Sequence, residues 1–202
     1  MSEPVRVAID FKHPAAYLAV APARALEARL GRPFEWLPLD VPALIEHPKS
    51  ANEDRGARHR RIRNEYLVND LRRYAESRGL SLGDPYRRID TTAASLGLLW
   101  LRRRPPVLAS EYVTRVFDRI WAANAPAELP FVEQSLGAEA SGFRAYADSD
   151  GPKELAAVRE ELLSHGAWNV PAFYVAGDVF LGRQHLPMVE WLATGRTGPA
   201  PI

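Results

Sequence analysis

The chain has 202 residues, which is enough for one large domain or for one domain with a sizeable insertion. Its residues are 47% hydrophobic and 25% charged, as in ordinary folded domains, and the formal net charge of +1 excludes a general electrostatic attraction to nucleic acid. The sequence contains no cysteine, which excludes disulfides, thiolate metal sites, cysteine nucleophiles and any dithiol redox cycle run by the protein's own side chains.

The N-terminal residues show no sign of a targeting segment. They include the acidic Glu3 and lack the basic start and the apolar core of a signal peptide. No apolar run approaches the about 20 residues that a membrane-spanning helix needs. We therefore expect a cytoplasmic protein that binds neither membranes nor nucleic acid.

The first 40 residues predict a strand, a helix and a second strand. Residues 5–9 are rich in β-formers, and Pro14 lies where a helix would begin, because proline is favoured at the first helical position. The helix should run to Gly31, which is typical of a helix end, with a kink at Pro22 inside it. Residues 32–38 predict the second strand, so the two strands should be parallel.

Residues 41–150 predict an all-helical segment. Prolines and Asn52 interrupt its start, and Ser110 is a plausible N-cap for one of its helices. The helices predicted from apolar periodicity are, in chain order, 58–79, 91–103, 111–123, 130–136 and 137–148. We see no strand and no internal repeat in this segment.

The α/β pattern returns after Gly151. A helix ending near Gly166 is followed by two short apolar runs joined by Gly177-Asp178, which predicts a β-hairpin. A last helix and a Pro/Gly-rich tail that should fray complete the chain. The predicted elements are, in chain order, helix 152–165, strand 171–176, strand 179–181, helix 184–194 and tail 196–202.

The order β-α-β, helical insertion, α-β-β-α is an α/β, thioredoxin-like topology with a large all-helical insertion after the second strand. We divide the chain into a discontinuous thioredoxin-like domain, 1–40 and 151–195, a helical insertion domain, 41–150, and the tail, 196–202. Proline cannot donate a hydrogen bond to a sheet, so Val170-Pro171 at the mouth of a strand needs a reason. In this topology the loop before the third strand carries a cis-proline, and we expect a cis bond here.

Three motifs resemble one family. Asp10-Phe11-Lys12-His13-Pro14 follows the first strand, a Tyr66-x-x-x-Asp70-Leu71 helix lies in the middle, and Asn169-Val170-Pro171-Ala172-Phe173 precedes Phe180-Leu181-Gly182. Together they resemble the DsbA-like thioredoxin superfamily, and within it 2-hydroxychromene-2-carboxylate isomerase and the kappa-class glutathione transferases. The resemblance implies a homodimeric enzyme that uses glutathione.

The resemblance also implies where glutathione would bind. In the family a serine before the proline faces the glutathione sulfur, and here that residue is His13, our candidate catalytic residue. The family aspartate that meets the α-amino group is replaced by Gln184, and its arginine neighbour by His185. The backbone of Val170 would pair with the glutathione backbone. The candidate cofactor-binding residues are Lys12, Asn52, Arg63, Val170, Pro171 and Gln184.

Two interpretations of His13 remain open. It could deprotonate a bound thiol or donate a hydrogen bond to an anion, and the dipole of the helix should keep it largely neutral at pH 7. It could also be only a helix cap in a protein that has lost its chemistry. The leading function is accordingly a glutathione-dependent isomerase-like or transferase-like enzyme acting on a small aromatic or anionic substrate. The alternative is a catalytically degenerate binding or structural protein.

The remaining histidines and the basic run around His59 indicate no further site. His47, His165 and His185 lack metal-ligand spacing, so no metal is expected. The arginines near His59 lack interleaved aromatics, so we interpret them as a solvated helix face, in which only Arg63 would face the ligand.

Overall fold

The computed structural model describes residues 4–201 as a four-stranded mixed sheet surrounded by α-helices. Residues 1–3 of the predicted first domain and Ile202 of the predicted tail lie outside the described residues. The strands are β1 (Arg6–Ile9), β2 (Glu35–Pro38), β3 (Ala172–Val175) and β4 (Asp178–Leu181).

The strand order is β2-β1-β3-β4. Strand β1 pairs with β2 in parallel and with β3 in antiparallel orientation, and β3 and β4 form an antiparallel hairpin. The β1–β2 pair is parallel because a helix connects the two strands, whereas a two-residue loop joins β3 to β4. The predicted α/β class and thioredoxin-like topology are confirmed.

The helices follow the predicted order. Among the described residues, the segment between Pro38 and Gly151 contains helices, turns and loops but no strand. Their bounds are α1 (Pro14–Leu30), α2 (Arg55–Glu76), α3 (Thr92–Trp100), α4 (Pro106–Phe117), α5 (Leu129–Leu136), α6 (Phe143–Asp148), α7 (Gly151–Ser164) and α8 (Leu186–Ala193). Short 3₁₀ turns, Leu101–Arg103, Gly137–Ala140 and Arg183–His185, and one π-helical turn, Asp118–Ala122, extend or precede them.

Helix α1 shows why the sequence begins a helix at this point. His13 is the N-cap, its side chain accepts a hydrogen bond from the Ala15 amide, and Pro14 occupies the first helical position. At the other end Gly31 has φ of +64°, the left-handed conformation that glycine adopts without steric cost. The helix buries Leu18 and Leu26 against the sheet and its neighbouring helices.

Helix α1 continues through Pro22, and an arginine from beyond the end of α2 fills the resulting gap. Pro22 has no N–H to donate to the carbonyl of Leu18 four residues earlier. The Arg78 guanidinium donates to that carbonyl through Nη1 at 2.8 Å. The end of α2 is therefore joined to the middle of α1 where the backbone ladder is broken.

Replacement of Arg78 by methionine should lower the free energy of unfolding by about 1–2 kcal/mol, because the Leu18 carbonyl then loses its donor. In a Pro22→Ala background the same replacement should cost much less, since the introduced alanine would supply the missing backbone N–H. Urea unfolding of the four proteins of this double-mutant cycle measures the difference. Equal losses in both backgrounds would contradict this account.

The prediction that Ser110 caps a helix is wrong. Helix α4 begins earlier, at Pro106, because Pro105-Pro106 places a proline at the first helical position. Ser110 lies inside the helix and is buried, and its Oγ donates to Glu27 Oε1 at 2.9 Å. The hydroxyl therefore satisfies a buried carboxylate of α1 and not the helix end.

Two predicted boundaries near the C-terminus also move. The hairpin loop is Ala176-Gly177 and not Gly177-Asp178, and both loop residues have positive φ, 52° and 85°, as a two-residue hairpin turn requires. The last helix starts at Leu186, behind a 3₁₀ turn. The tail, for which the sequence predicts fraying, folds back on α8, where Trp191 Nε1 donates to the Gly198 carbonyl at 3.0 Å.

One continuous apolar core links the two predicted domains. Phe11 of the first segment packs against Phe117 of α4 with ring centroids 4.9 Å apart, and Trp121 Nε1 donates to the Phe11 carbonyl at 2.9 Å. The buried Glu27 joins the same two parts, because its Oε1 accepts from Phe34 N, Trp36 Nε1 and Ser110 Oγ. The domain division remains a prediction, but the helical segment shares its core with the sheet.

Candidate functional site

A cavity of about 1000 Å³ opens between helices α1 and α2 and two loops. The loops are the one that precedes β3 and the turn that follows β4, so the cavity draws on both ends of the chain. Its volume lies at the upper end of the range of typical ligand pockets. The residues that line it are His13, Ala15, Ala21, Pro22, Ala25, Tyr66, Leu67, Asp70, Leu71, Tyr74, Arg78, Trp168, Asn169, Val170, Pro171, Leu181, Gly182, Arg183, Gln184 and Leu186.

His13 lies in the wall of the cavity at the start of α1. The residue is 4% exposed, and its Nδ1 accepts a hydrogen bond from the Ala15 amide at 3.3 Å. Burial, with a smaller contribution from the positive charge of Lys12, lowers the pKa of His13 to about 4. The imidazole is therefore neutral at pH 7, in agreement with the expectation from the sequence.

The proline loop lies at the same end of the cavity. The Val170-Pro171 peptide bond is cis, and both residues line the cavity together with Asn169. The N–H of Val170 already donates to the side-chain Oδ1 of Asn169 at 2.8 Å. A peptide-like ligand that pairs with this N–H must therefore displace the Asn169 carbonyl.

Gln184 and Arg183 line the cavity from the turn after β4. Gln184 Nε2 donates to the Leu181 carbonyl at 3.0 Å and folds over Gly182. The guanidinium of Arg183 lies 3.6 Å from the ring centroid of Tyr74 and 3.5 Å from Asp70 Oδ2. Stacking and this long ion pair hold the cation in place while its remaining donors stay available for an oxyanion.

Arg183 lines the cavity, although it was not among the site residues predicted from the sequence. The signal in the sequence is the cation itself, which directly follows Gly182 in the turn after β4. Asp70 belongs to the motif of the middle helix and had no predicted role, and it also lines the cavity.

The structure places Lys12 outside this cavity. Its Nζ pairs with Asp10 Oδ2 at 2.6 Å and with Asp40, and the side chain lines two smaller cavities on another side of the turn. Asp10 is buried and also accepts hydrogen bonds from the backbone amides of Lys12 and Val41. The ammonium is thus engaged in an ion-pair network that shapes the turn before α1, and the candidate site does not include it.

Asn52 and Arg63 are not among the cavity-lining residues either. Asn52 lies in the loop before α2, and its backbone N–H donates weakly to Ser50. Arg63 is exposed on α2, one turn before Tyr66 and Leu67 on the same helix face. Arg63 therefore lies beyond the rim of the cavity, and Asn52 is separate from it.

Exposed aromatic side chains surround the mouth of the cavity. Trp168 is 69% exposed and Tyr66 66% exposed, and both line the cavity together with the half-exposed Tyr74. Aromatic faces that are open to solvent in a concave site are suited to stack on a planar or apolar ligand. The arrangement provides apolar walls with polar groups at His13, Arg183 and Gln184.

Two kinds of feature are absent from residues 4–201. No three His, Asp or Glu side chains there come together as metal ligands would. In the same part of the chain no helix is long and apolar enough to cross a membrane.

Comparison with known proteins gives one family and several similar structures. The family model described as the DSBA-like thioredoxin domain matches residues 10–192. No curated protein matches the sequence. The structure of 2-hydroxychromene-2-carboxylate isomerase is similar with a TM-score of 0.72 at 19% identity, over 96% of this chain and 95% of that one.

A second similar structure is the cytosolic disulfide reductase DsbM from Pseudomonas aeruginosa, solved with GSH. Its TM-score is 0.60 at 16% identity, over 95% of this chain and 93% of that one. At such identities the likeness to both structures shows the fold alone.

Proposed function

We propose a glutathione-dependent isomerase-like or transferase-like function for this chain, which belongs to the family of DSBA-like thioredoxin domains. The observation that carries the proposal is that four of the residues predicted from the sequence line the same cavity, namely His13, Val170, Pro171 and Gln184. They come from the two ends of the sequence, so their meeting is a property of the fold. The DsbM structure with GSH supports glutathione as the ligand to test.

In this proposal the bound thiol supplies the reactive sulfur. The chain has no cysteine, so a dithiol cycle run by its own side chains is excluded. The thiolate would add to one carbon of an electron-poor carbon–carbon double bond in a small organic substrate. A C–S bond forms, the π bond breaks, and its electron pair takes up a proton from solvent. Rotation about the resulting single bond, followed by loss of that proton and of the thiolate, re-forms the double bond and gives isomerisation, whereas keeping the C–S bond gives transfer. The exposed Tyr66 and Trp168 support an aromatic substrate.

Calorimetric titration with glutathione tests the proposal. We expect saturable binding with a dissociation constant in the millimolar range or below, because the cavity offers few charged partners for a small flexible tripeptide. Absence of binding at millimolar glutathione would refute the glutathione part. The predicted cytoplasmic location and the predicted homodimer belong to the same proposal, and cell fractionation and analytical ultracentrifugation test them.

Replacement of Arg183 by methionine should weaken glutathione binding about 10–100-fold, which is the usual effect of losing a hydrogen bond to a charged group. Methionine keeps the apolar contact with Tyr74 and removes the fork of donors. The matched control is Arg72→Met, which removes an exposed arginine of α2 outside the cavity. Calorimetry of both variants compares the dissociation constants, and an unchanged constant for Arg183→Met would remove Arg183 from the site.

A non-catalytic binding function is the second candidate, and two contacts favour it. The Val170 N–H donates a hydrogen bond to Asn169 Oδ1, and Nδ1 of His13 accepts one from the Ala15 amide. In both contacts a hydrogen-bonding group that a substrate would otherwise use already has a partner within the protein. Once a turnover is measured, its loss in His13→Ala with ligand affinity retained would argue against this candidate.

A further inference from the structure

The imidazole of His13 is held by one ring nitrogen and leaves the other for the cavity. Nδ1 accepts the hydrogen bond from the Ala15 amide at 3.3 Å, so it carries no proton of its own. A neutral imidazole must then carry its single proton on Nε2. Among the described residues none forms a hydrogen bond with Nε2, although His13 is only 4% exposed and lines the cavity.

His13 also accepts hydrogen bonds from the backbone amides at the start of helix α1. Pro14 has no N–H, and the amides of Ala16 and Tyr17 donate to the His13 carbonyl at 3.0 and 3.3 Å. The Ala15 amide donates to the imidazole. An anion in the cavity would thus meet the Nε2–H group and not the backbone amides that usually face an anion at a helix start.

We propose that His13 is a neutral hydrogen-bond donor, through Nε2–H, to an anion bound in the cavity, and not a base that deprotonates it. The chain of donors from the Ala15 amide through the imidazole extends the positive end of α1 into the cavity. The identity of the anion as the glutathione thiolate rests on the function proposed above. The proton of the thiol then leaves to solvent.

The charges around His13 agree with this role. Lys12 is the charged neighbour in the turn, where Asp10 and Asp40 hold its ammonium, and Asp70 and Arg183 line the same cavity. Burial and Lys12 together oppose protonation of the ring. A base for a thiol of ordinary pKa, about 8.5, would need an environment that favours the protonated ring.

The first experiment determines the tautomer in the ligand-free protein. Nitrogen-15 NMR of the histidine rings should show Nε2 protonated and Nδ1 unprotonated for His13 from pH 6 to pH 8. Addition of sodium thiocyanate, an anion with a terminal sulfur, should then shift the Nε2–H resonance. A proton on Nδ1, a doubly protonated ring, or a resonance that neither thiocyanate nor glutathione shifts would overturn the proposal.

The second experiment separates a donor from a base. The ionisation of bound glutathione is followed by thiolate absorbance in the wild type, His13→Gln and His13→Ala. Glutamine keeps a neutral N–H donor of similar reach and cannot act as a base. The wild type should lower the thiol pKa by about one unit, the glutamine variant should keep most of that shift, and the alanine variant should lose it. Equal loss in both variants would overturn the proposal.

Failure of this inference is distinguishable from failure of the proposed function. If glutathione does not bind at all, the proposed function fails, and the tautomer together with the thiocyanate shift still decides the role of His13. If glutathione binds and His13→Gln behaves like His13→Ala, the function stands and the donor role is wrong. Circular dichroism of each variant verifies that it is folded.

Discussion

Replacement of Glu27 by alanine should lower the free energy of unfolding by about 3–5 kcal/mol, which would be a large part of the stability of a domain. Glu27 is 8% exposed, and its Oε1 accepts from the Phe34 amide at 2.7 Å, from Trp36 Nε1 at 3.1 Å and from Ser110 Oγ at 2.9 Å. Alanine would leave the Phe34 amide and the Ser110 hydroxyl buried without this acceptor, while Trp36 Nε1 would keep Ser110 Oγ as its acceptor at 3.0 Å. Each unsatisfied group costs about 1–3 kcal/mol.

Three further variants make the Glu27 measurement specific. Glu27→Gln keeps an acceptor oxygen and should lose clearly less stability than the alanine variant. Ser110→Ala removes the hydroxyl that donates to Glu27, and the free energy of unfolding should fall by about 1 kcal/mol. Arg29→Ala on the same helix removes only an exposed ion pair with Glu190 and should change stability little. A loss below about 1 kcal/mol for Glu27→Ala, measured by urea unfolding, would show that water replaces the carboxylate.

Acidification from pH 7 to pH 4 should destabilise the wild type by about 2–3 kcal/mol more than it destabilises His13→Asn. In the unfolded chain His13 titrates near 6.5, whereas burial and Lys12 lower its pKa to about 4 in the folded protein. The unfolded state therefore binds more protons between these values, so stability is complete above pH 6.5 and is lost as the pH falls toward 4.

Asparagine is the suitable replacement because it is a good N-cap that does not titrate. The comparison uses the difference in unfolding free energy between the two pH values, so that a constant change in capping strength cancels. His59→Asn, which replaces an exposed histidine on α2, serves as the control and should follow the wild type. Parallel pH profiles for the wild type and His13→Asn would show that burial does not depress the pKa of His13.

The sequence predicts the fold well because the signals for it are local. Apolar periodicity, Pro14 at a helix start and Gly31 at a helix end depend only on neighbouring residues, and the order of elements then leaves few topologies. Ser110 fails for the opposite reason. A serine before an apolar stripe fits an N-cap, and its actual partner, Glu27, is 83 residues away. No local pattern contains that contact.

The sequence predicts a residue of the candidate site where a motif fixes its backbone position. It does not predict one whose side-chain direction depends on contacts with residues far away in the chain. His13 and Gln184 line the cavity because each belongs to a turn next to a core element. Lys12 and His13 are adjacent, yet the tight turn sends them to different sides, and the buried Asp10 captures the lysine. Arg183 depends for its position on Tyr74 and Asp70, and the latter lies 113 residues earlier in the chain.

The strand order has a consequence for the time at which the cavity exists during synthesis. Strand β1, which leads into His13, needs β3 as its antiparallel neighbour, and β3 follows Pro171 near the C-terminus. A nascent chain can complete β1, α1 and the whole helical segment and still lack one wall of the cavity. Any ligand that needs this wall could therefore bind only once the last hairpin has left the ribosome. Binding in the cavity would accordingly mark the completion of folding and not its beginning.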